Sequence, residues 1–293
     1  MILCIGEILA DMIGSDVDRI MSFKAFCGGA PFNVAVGARR AGADVGFIGR
    51  VGNDPVGKFL KAEALKAGLN FCTIQTDNVR NTTLAFVTLT DGERDFAFYR
   101  HDTADFNVDI NAIDFGEYED LNIVHLGSLM LSEENGRALA QAVVDKARAQ
   151  NKLISFDLNF RMDIYKDFND ALKAYKPFVE QADIIKFSDD ELKDYTGKDG
   201  VIEGIESIYK KDTVVVVTLG SRGSVYYYNG LNGTVGTEKV KPIDTTGAGD
   251  AFFGTFLANI EGKKINKENL ESALIKANAA GAAATQFLGA IQL

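Results

Sequence analysis

Residues Asp244 to Leu257 read DTTGAGDAFFGTFL, and this stretch decides how the C-terminal part of the chain folds. Its second half carries apolar residues at helical spacing, on one face of a 3.6-residue period: Phe252, Phe253, Phe256, Leu257 and Ile260. The half before Asp250 has almost no side-chain bulk, so its backbone N–H groups are open. Open amides at a helix N-terminus can bind an anion. The stretch therefore predicts either an anion site or a helix whose small residues only ease close packing.

The composition of the whole chain indicates one large core in a reducing compartment. The 293 residues are 46% apolar, which is enough for a single large domain. Asp and Glu outnumber Lys and Arg by 41 to 31, and the net charge of −10 disfavours a nucleic-acid partner. Three cysteines without paired spacing argue against a disulfide framework. Glu7 and Asp11 interrupt the N-terminal apolar run, so we expect a cytoplasmic protein with no signal peptide and no membrane span.

The order of apolar patterns predicts an α/β fold with a central, mainly parallel sheet, because short β-rich runs alternate with helical ones. We predict helices over Pro31–Arg40, Gly57–Ala67, Glu133–Ala149 and Lys267–Phe287. Strands are predicted at Ile2–Ile5, Val45–Val51, Ile123–Leu126, Leu153–Asp157, Ile184–Phe187 and Val214–Leu219. A hairpin around Asn229-Gly230 would join Val225–Tyr228 to Thr234–Val240.

A second predicted hairpin differs from the α/β body in its pattern of apolar and polar residues. Thr82–Thr90 and Arg94–Arg100 alternate apolar and polar residues on either side of Asp91-Gly92, a dipeptide typical of hairpin turns. We predict a small β appendage on a single domain that spans residues 1–293. The appendage would be built mainly from residues 82–100 together with neighbouring N-terminal segments.

Two common nucleotide-binding motifs are not supported. Gly52 to Phe59 fits the P-loop pattern up to its last position, where Phe59 replaces the Ser or Thr that holds Mg²⁺. Pro55 also removes an N–H group from the cradle. We interpret this segment as a tight strand-to-helix loop. No G-x-G-x-x-G follows the first strand, which removes the main support for a nicotinamide-binding Rossmann domain.

Two glycine-containing motifs near opposite ends of the chain resemble the paired signatures of one family. The first is Gly28-Gly29-Ala30-Pro31-Phe32-Asn33-Val34-Ala35 with the nearby segment 49–57, and the second is Asp244–Phe252. Together they are similar to the signatures of the PfkB (ribokinase-like) family of carbohydrate kinases. The first motif, Gly92-Glu93-Arg94, Phe98-Tyr99-Arg100 and Phe156–Arg161 look most like bacterial fructokinases within it. The resemblance implies a ribokinase-like three-layer sandwich with a small β-sheet lid.

The resemblance also implies catalytic roles. Transfer of a γ-phosphoryl group needs positioning, charge stabilisation and a base for the acceptor hydroxyl. The amides of Gly247, Ala248 and Gly249 would stabilise the migrating group, and Asp250 would be the base. Its place at a helix N-terminus predicts a low pKa, which a loose transition state tolerates; a helix cap is the simpler interpretation and does not exclude catalysis. Arg161 would contact phosphate or sugar, unless it is an ordinary surface arginine.

Six residues resemble the family's sugar-binding set: Asp11, Gly28, Gly29, Asn33, Phe98 and Arg100. Asp11 would accept two sugar hydroxyls, Phe98 would pack on the sugar's apolar face, and Arg100 would bond its hydroxyls. A closing lid would exclude water that otherwise hydrolyses ATP. The alternatives are a turn residue for Asp11, tight backbone geometry for the glycines, and core packing for Phe98.

Nucleotide and metal positions follow from the same resemblance. The nucleotide-binding set is Lys186, Ser188, Thr218, Gly220, Ser221, Gly223 and Asn278. The family often has Asn-x-x-Glu near its metal, whereas this chain has Ser188-Asp-Asp-Glu191, which leaves the contribution of the first position open. Glu191 would hold Mg²⁺ through water. Asp244 and Thr246 resemble positions that line a K⁺ site.

The sequence therefore predicts an ATP-dependent, Mg²⁺-requiring sugar kinase that converts D-fructose to fructose 6-phosphate. A kinase of the same family acting on 2-keto-3-deoxygluconate or aminoimidazole riboside is an alternative. A sugar- or nucleotide-binding regulator without catalysis is another. We expect small-molecule partners only, neither nucleic acid nor membrane, and a homodimer formed through the unpaired edges of the lid.

Overall fold

The computed structural model describes residues 1–17, 20–90, 93–161 and 164–291. Within these residues the strands, in chain order, are β1 (Ile2–Ile5), β2 (Leu9–Val17), β3 (Ile20–Gly28), β4 (Val45–Gly52), β5 (Phe71–Asp77), β6 (Leu84–Thr90), β7 (Glu93–Tyr99), β8 (Ile123–Leu126), β9 (Leu153–Asp157), β10 (Ile184–Ser188), β11 (Val214–Thr218), β12 (Ser224–Tyr228) and β13 (Leu231–Val235). The helices are α1 (Ala30–Arg40), α2 (Pro55–Ala64), α3 (Glu134–Ala149), α4 (Phe168–Gln181), α5 (Asp189–Thr196), α6 (Val201–Ile208), α7 (Ala248–Ile260) and α8 (Lys267–Ala284).

The large sheet has nine strands in the order β13-β12-β11-β10-β9-β8-β1-β4-β5. The seven strands from β11 to β5 pair in parallel, and β12, near one edge, pairs antiparallel with β11 and with β13. Helices α1, α2, α7 and α8 pack on one face, and α3 to α6 pack on the other. Both faces of the central strands are therefore buried, which is why β11 is apolar along its length. The predicted α/β class and parallel sheet are confirmed.

The small sheet has the order β3-β2-β6-β7 and stands apart from the large one. The predicted strands around residues 82–100 form β6 and β7, while the Asp91-Gly92 turn lies outside the described residues. Strands β2 and β3 supply the N-terminal half of this sheet, and β2 pairs parallel with β6. Because β2 and β6 are far apart along the chain, no local sequence pattern predicts that they pair.

Several predicted boundaries were wrong: helix α2, for example, spans Pro55–Ala64 rather than Gly57–Ala67, and two further differences lie in the C-terminal part of the chain. Strand β13 begins at Leu231, directly after Asn229-Gly230, rather than at Thr234, because a two-residue turn lets the return strand pair at once. Helix α8 ends at Ala284, and Thr285 forms its C-cap. The following residues, up to Ile291, run back toward the N-terminus of α7 instead of extending the helix.

The segment Gly52 to Phe59, which matches most of the P-loop pattern, contains the capped N-terminus of helix α2. Asp54 is the N-cap of α2, and its Oδ1 accepts the Gly57 N–H at 2.7 Å. Its Oδ2 accepts the Thr82 N–H at 2.8 Å, which ties the start of β6 to the body. The carboxylate thus occupies the amides that a phosphate would need, and the tight-loop interpretation is confirmed.

Helices α1 and α7 cross in close contact because glycine lies at the crossing. A Cβ on Gly254 would lie 2.3 Å from the Val34 carbonyl oxygen, closer than real side chains allow. The apolar face predicted for α7, Phe252 to Ile260, is buried against this crossing and the sheet. The crossing brings the first turn of α1 beside the first turn of α7.

Two predictions from composition can be compared with the structure. Cys4, Cys27 and Cys72 are all free, as their spacing predicted. In the portion of the chain that the structure describes, no helix has both the length and the apolar character needed to cross a membrane.

Candidate active site

A cavity of about 770 Å³ opens where β8 to β11 end, at the carboxyl edge of the large sheet and beneath the small sheet. It is lined by most of the residues predicted from the two motifs: Asp11, Gly29, Asn33, Phe98, Arg161, Lys186, Ser188, Glu191, Thr218, Gly220, Ser221, Gly223, Thr246, Gly247, Ala248, Gly249, Asp250 and Asn278. Ligands of open α/β sheets bind at this edge. The structure thus brings the predicted sugar and nucleotide sets into one space.

Asp250 faces this cavity from the first turn of α7, where it is hydrogen-bonded to a residue of the N-terminal glycine motif. Asn33 on α1 donates its Nδ2–H to Asp250 Oδ2 at 2.8 Å across 217 residues of sequence. Asp250 does not cap the helix, because Gly247 is the N-cap. The predicted low pKa is also wrong. Burial raises the pKa of Asp250, while Asn33, Lys186 and Arg161 only partly oppose that rise.

The turn before Asp250 presents backbone amides to the cavity. The ladder of α7 starts with the Ala251 N–H donating to the Gly247 carbonyl at 2.9 Å, so the Gly249 and Asp250 amides have no acceptor inside the helix. The Ala248 amide makes a long bond of 3.3 Å to the Thr245 carbonyl. All residues from Thr245 to Asp250 line the cavity. Such a turn can hold an anion or the charge of a migrating phosphoryl group.

Gly247 at the start of this turn is conformationally required. Its φ is +75°, and a Cβ there would lie 2.4 Å from the Ala290 carbonyl oxygen. Asp244 stabilises the same turn, because its carboxylate accepts the Thr246 N–H at 2.7 Å and the Gly289 N–H at 2.9 Å. Asp244 is buried and, unlike Thr246, is not part of the cavity wall.

A buried ion pair lies under the same turn. Lys186, in the middle of β10, places its Nζ 2.8 and 2.9 Å from the two carboxylate oxygens of Asp157, at the end of β9. The side chain of Lys186 approaches Gly249, where a Cβ would be 3.3 Å from Nζ. Burial alone would lower the pKa of Lys186, but the carboxylates of Asp157 and Glu191 raise it above its usual value. Lys186 is therefore a cation beside the open amides.

The other end of the cavity is formed by the small sheet. Asp11, Ala85 and Phe98 lie directly across from one another on β2, β6 and β7, and all three face the cavity. Burial raises the pKa of Asp11 to about 7, helped by Asp250 and Asp244. Gly28 touches this carboxylate rather than the cavity, since a Cβ there would overlap Asp11 Oδ2 at 2.1 Å.

Arg100 is placed elsewhere than the sequence predicted. Its side chain is buried, its guanidinium pairs with Asp105, and it donates to the Leu129 carbonyl and to Ser132. It also covers the Phe106 ring, 4.1 Å from the ring centroid. The role of bonding sugar hydroxyls is corrected: β7 ends before Arg100, and the chain turns its side chain into the body. Arg161, by contrast, is exposed and lines the cavity.

At the nucleotide end, several predicted residues also hold the local backbone. Asn278 donates to the carbonyls of Val235 and Gly236 at 3.0 and 3.2 Å, which anchors the segment after β13 to α8. Ser188 and Glu191 form a capping box at the start of α5: the Ser188 hydroxyl accepts the Glu191 N–H, and Glu191 Oε2 accepts the Ser188 N–H at 2.7 Å. Ser188 therefore has a structural function that its place in the family motif did not reveal.

The metal predictions concern residues whose oxygens already make hydrogen bonds. Glu191 Oε1 accepts the Phe160 N–H at 3.0 Å, so each carboxylate oxygen holds one backbone amide. The remaining lone pairs suit a cation held through water, the mode that Mg²⁺ favours when phosphates supply direct ligands. Among the described residues, no three His, Cys, Asp or Glu side chains form a metal-binding group.

Sequence reasoning missed two parts of the cavity wall. One is an apolar patch beside Phe98, formed by Leu9, Ala85 and Leu129. The other is the irregular segment after β13, which contributes Thr237, Val240 and Pro242. Neither carries a motif. The sequence analysis assigned part of the second segment to a strand, Thr234–Val240, whereas β13 ends at Val235, so the irregular backbone was not predicted.

Comparison with known proteins defines the class of the chain. The pfkB family carbohydrate kinase domain matches residues 1–293. The protein belongs to this family, and it is a phosphotransferase that acts on a sugar hydroxyl. Its fold is the ribokinase-like α/β sandwich, with a nine-stranded mixed sheet and a four-stranded small sheet.

Within the family the chain is similar to fructokinases. It is 35% identical to probable fructokinase-7 of Arabidopsis thaliana, with 99% of this chain and 88% of that protein aligned. The structure of Vibrio cholerae O395 fructokinase with fructose, ADP and calcium matches with a TM-score of 0.88 and 32% identity, over 99% of this chain and 94% of the other. ATP-bound Xylella fastidiosa fructokinase also gives 0.88, at 30% identity, covering 99% and 93%.

Proposed function

We propose that this protein transfers the γ-phosphoryl group of ATP to a primary hydroxyl of D-fructose, giving fructose 6-phosphate and ADP. The observation that carries the proposal is the position of Asp250, which faces the cavity beside the open amides of α7 and is bonded to Asn33. The similarity to fructokinases from plants and bacteria supports fructose as the acceptor.

The chemistry follows from that geometry. Asp250 accepts the hydroxyl proton as the sugar oxygen bonds to the γ-phosphorus, and the bond from that phosphorus to the bridging oxygen of ADP breaks. The Gly249 and Asp250 amides stabilise the charge on the migrating group, with Lys186 and Arg161 as neighbouring cations. The raised pKa of Asp250 makes it a stronger base than a solvated aspartate, which suits proton removal near neutral pH.

Charge at the sugar end favours a neutral acceptor over 2-keto-3-deoxygluconate. Asp11 and Asp250 line this end, and Glu7 is buried behind it. Of the nearby arginines, Arg100 is neutralised by Asp105, which leaves Arg161 as the cation facing the acceptor. The carboxyl group of such an acceptor would lie beside the carboxyl groups of Asp11 and Asp250, whereas fructose hydroxyls can donate to Asp11.

The nucleotide lies, in this proposal, between the segment after β13 and α8. Strand β11 ends at Thr218, and the turn that follows brings Gly220, Ser221 and Gly223 to this part of the cavity. On the opposite wall, Asn278 holds the segment after β13 by its bond to the Val235 carbonyl. Glu191 would hold Mg²⁺ through water, and the ion would supply positive charge beside the phosphates. Asp244 and Thr246 are the candidate K⁺ ligands, and removing K⁺ from the assay tests that part.

The small sheet acts in this proposal as a lid, and its outer face as a dimer surface. Residues alternate across a strand, so the neighbours of Asp11 and Phe98 face away from the cavity. They include an aromatic row, with Phe86 4.8 Å from Phe23 and 5.0 Å from Tyr99 between ring centroids. Tyr99 is 65% exposed. We expect a cytoplasmic homodimer joined through this row, which sedimentation of the wild type and Tyr99→Asp would test.

The decisive experiment is a panel of sugars and nucleosides assayed for ATP-dependent phosphorylation with Mg²⁺. Fructose should give the highest kcat/KM, and the absence of phosphorylation of every acceptor would refute the proposal. Asp250→Asn should lower kcat by about 100- to 10,000-fold while fructose and ATP still bind. If that variant changed neither activity nor binding, a non-catalytic regulator would be the better interpretation.

A further inference from the structure

The Asp157–Lys186 pair lies at a place where a purely structural ion pair is hard to justify. Asp157 is 1% exposed and Lys186 is 5% exposed. Burying both charges costs desolvation energy that their attraction only offsets, so an apolar pair of similar size would stabilise the sheet as well or better. The pair nevertheless joins β9 and β10, two neighbouring strands whose carboxyl ends lie under the turn of residues 245–250, which we call the phosphoryl-binding turn. This position suggests a function other than stability.

The hydrogen bonds of Lys186 explain what the pair can do. An ammonium group has three donors. Two of them are taken by the two Asp157 oxygens, at 2.8 and 2.9 Å, and in the described part of the chain Nζ makes no other hydrogen bond. Lys186 lines the cavity and its Nζ approaches Gly249, so the third donor is available to a group bound there. Bonding to both oxygens removes the rotational freedom that a lysine head group otherwise keeps.

We propose that Asp157 is a positioning residue, which holds the Lys186 ammonium in the one orientation that directs its free donor at the transferred phosphoryl group. The inference rests on the proposed kinase function and adds a residue to its site. Lys186 touches the phosphoryl group, and Asp157 acts only through Lys186. Loss of Asp157 therefore slows phosphoryl transfer but leaves the fructose end of the cavity, around Asp11 and Phe98, as it was.

A double-mutant cycle tests this dependence, using Asp157→Asn, Lys186→Met and the double variant with fructose and ATP at saturation. We expect Lys186→Met to lower kcat by about 100- to 1000-fold, the size of a lost electrostatic donor. Asp157→Asn should lower kcat by about 10- to 100-fold, with the KM for fructose within about twofold of wild type. In the Lys186→Met background, Asp157→Asn should cost nothing further. An additional loss there, or an unchanged kcat for Asp157→Asn alone, overturns the proposal.

A matched control separates positioning from general damage to β10. Asp183 precedes the other end of the same strand and pairs with Arg148 at 2.6 Å, away from the cavity. Asp183→Asn removes a salt-bridge carboxylate of the same chemistry and should leave kcat unchanged. If it lowers kcat as much as Asp157→Asn, the effect belongs to the strand and the proposal fails.

Two outcomes could be confused with this result, and the design distinguishes them. Should Asp157→Asn not fold because Lys186 is left unpaired, Lys186→Met and the double variant carry the test, since neither retains a buried cation. Equal kcat values for those two support the proposal, and a lower value for the double variant refutes it. If wild type phosphorylates no acceptor, the proposed function itself has failed, whereas an active wild type with additive variants refutes only the role of Asp157.

Discussion

Replacing Gly247 with alanine tests whether the position of the phosphoryl-binding turn determines the rate. The φ of +75° at Gly247 costs an L-residue about 1 kcal/mol of folding stability. The added Cβ would also lie 2.4 Å from the Ala290 carbonyl oxygen, whereas ordinary contacts begin at 3.4 Å. That oxygen is backbone and cannot rotate away, so the turn must move by roughly the 1 Å difference. A displacement of this size at a reacting centre costs about 100-fold in rate.

The opposite end of the same helix provides the control. Gly262 follows α7, has a φ of +67°, and has nothing within 4 Å of an added Cβ. Gly262→Ala therefore carries the same backbone cost without the collision, and Tm should fall by about 2–4 °C with kcat unchanged. Gly247→Ala should lower kcat about 100-fold in a coupled assay of ADP release. If its kcat stays within about threefold of wild type while Tm falls, the turn does not act by fixed geometry and the reasoning is refuted.

Three further changes test single steps. Asn33→Ala removes the bond that lowers the pKa of Asp250, so the acid limb of kcat/KM should move to higher pH; an unmoved limb would separate Asn33 from the base. Lys58→Ala alters the residue that would contact phosphate if residues 52–59 formed a P-loop. Because the Asp54 carboxylate already accepts the Gly57 N–H there, the KM for ATP should stay within about twofold of wild type, and a rise of about tenfold would contradict this. Asp11 has a pKa of about 7 in the folded protein against 3.8 for the free group, so its favourable contribution to stability is present below pH 4 and is lost as pH rises toward 7. Asp11→Asn should therefore raise Tm at pH 8 but not at pH 4, while raising the KM for fructose; equal Tm changes at both pH values would contradict the assignment.

The parts of the fold that the sequence predicted are those with a local physical cause. A buried parallel strand such as β11 must be apolar throughout, and an amphipathic helix such as α3 must repeat every 3.6 residues. The glycine turn before α7 was recognisable for the same reason, because small residues at the start of a helix leave the backbone N–H groups exposed. The capping box at Ser188 also has a local signature, Ser-x-x-Glu, and could have been predicted from it.

Properties set by distant packing were not predictable in this way. The pKa of Asp250 follows from burial against α1, which no feature of its own helix indicates. Arg100 lies only five residues from Asp105, but whether such a pair forms depends on where β7 ends and which way the chain then turns. Strand β2 pairs with β6 of a hairpin that lies far along the chain, so the alternation of β2 alone could not assign it and its partner β3 to the small sheet.

The two motifs form one site because helices α1 and α7, which each carry one motif, cross in close contact. Asn33 and Asp250, the proposed sugar ligand and the proposed base, meet only if α1 and α7 approach at backbone distance. Gly254 permits this approach, because it lies against Val34 and Ala38 of α1. Gly37 makes the reciprocal contact, with its Cβ position 3.2 Å from the Ala251 Cα. A larger residue at either glycine would move the helix axes apart and stretch the 2.8 Å bond between Asn33 and Asp250. The distance between acceptor and base is therefore determined by helix packing as much as by the reacting groups themselves.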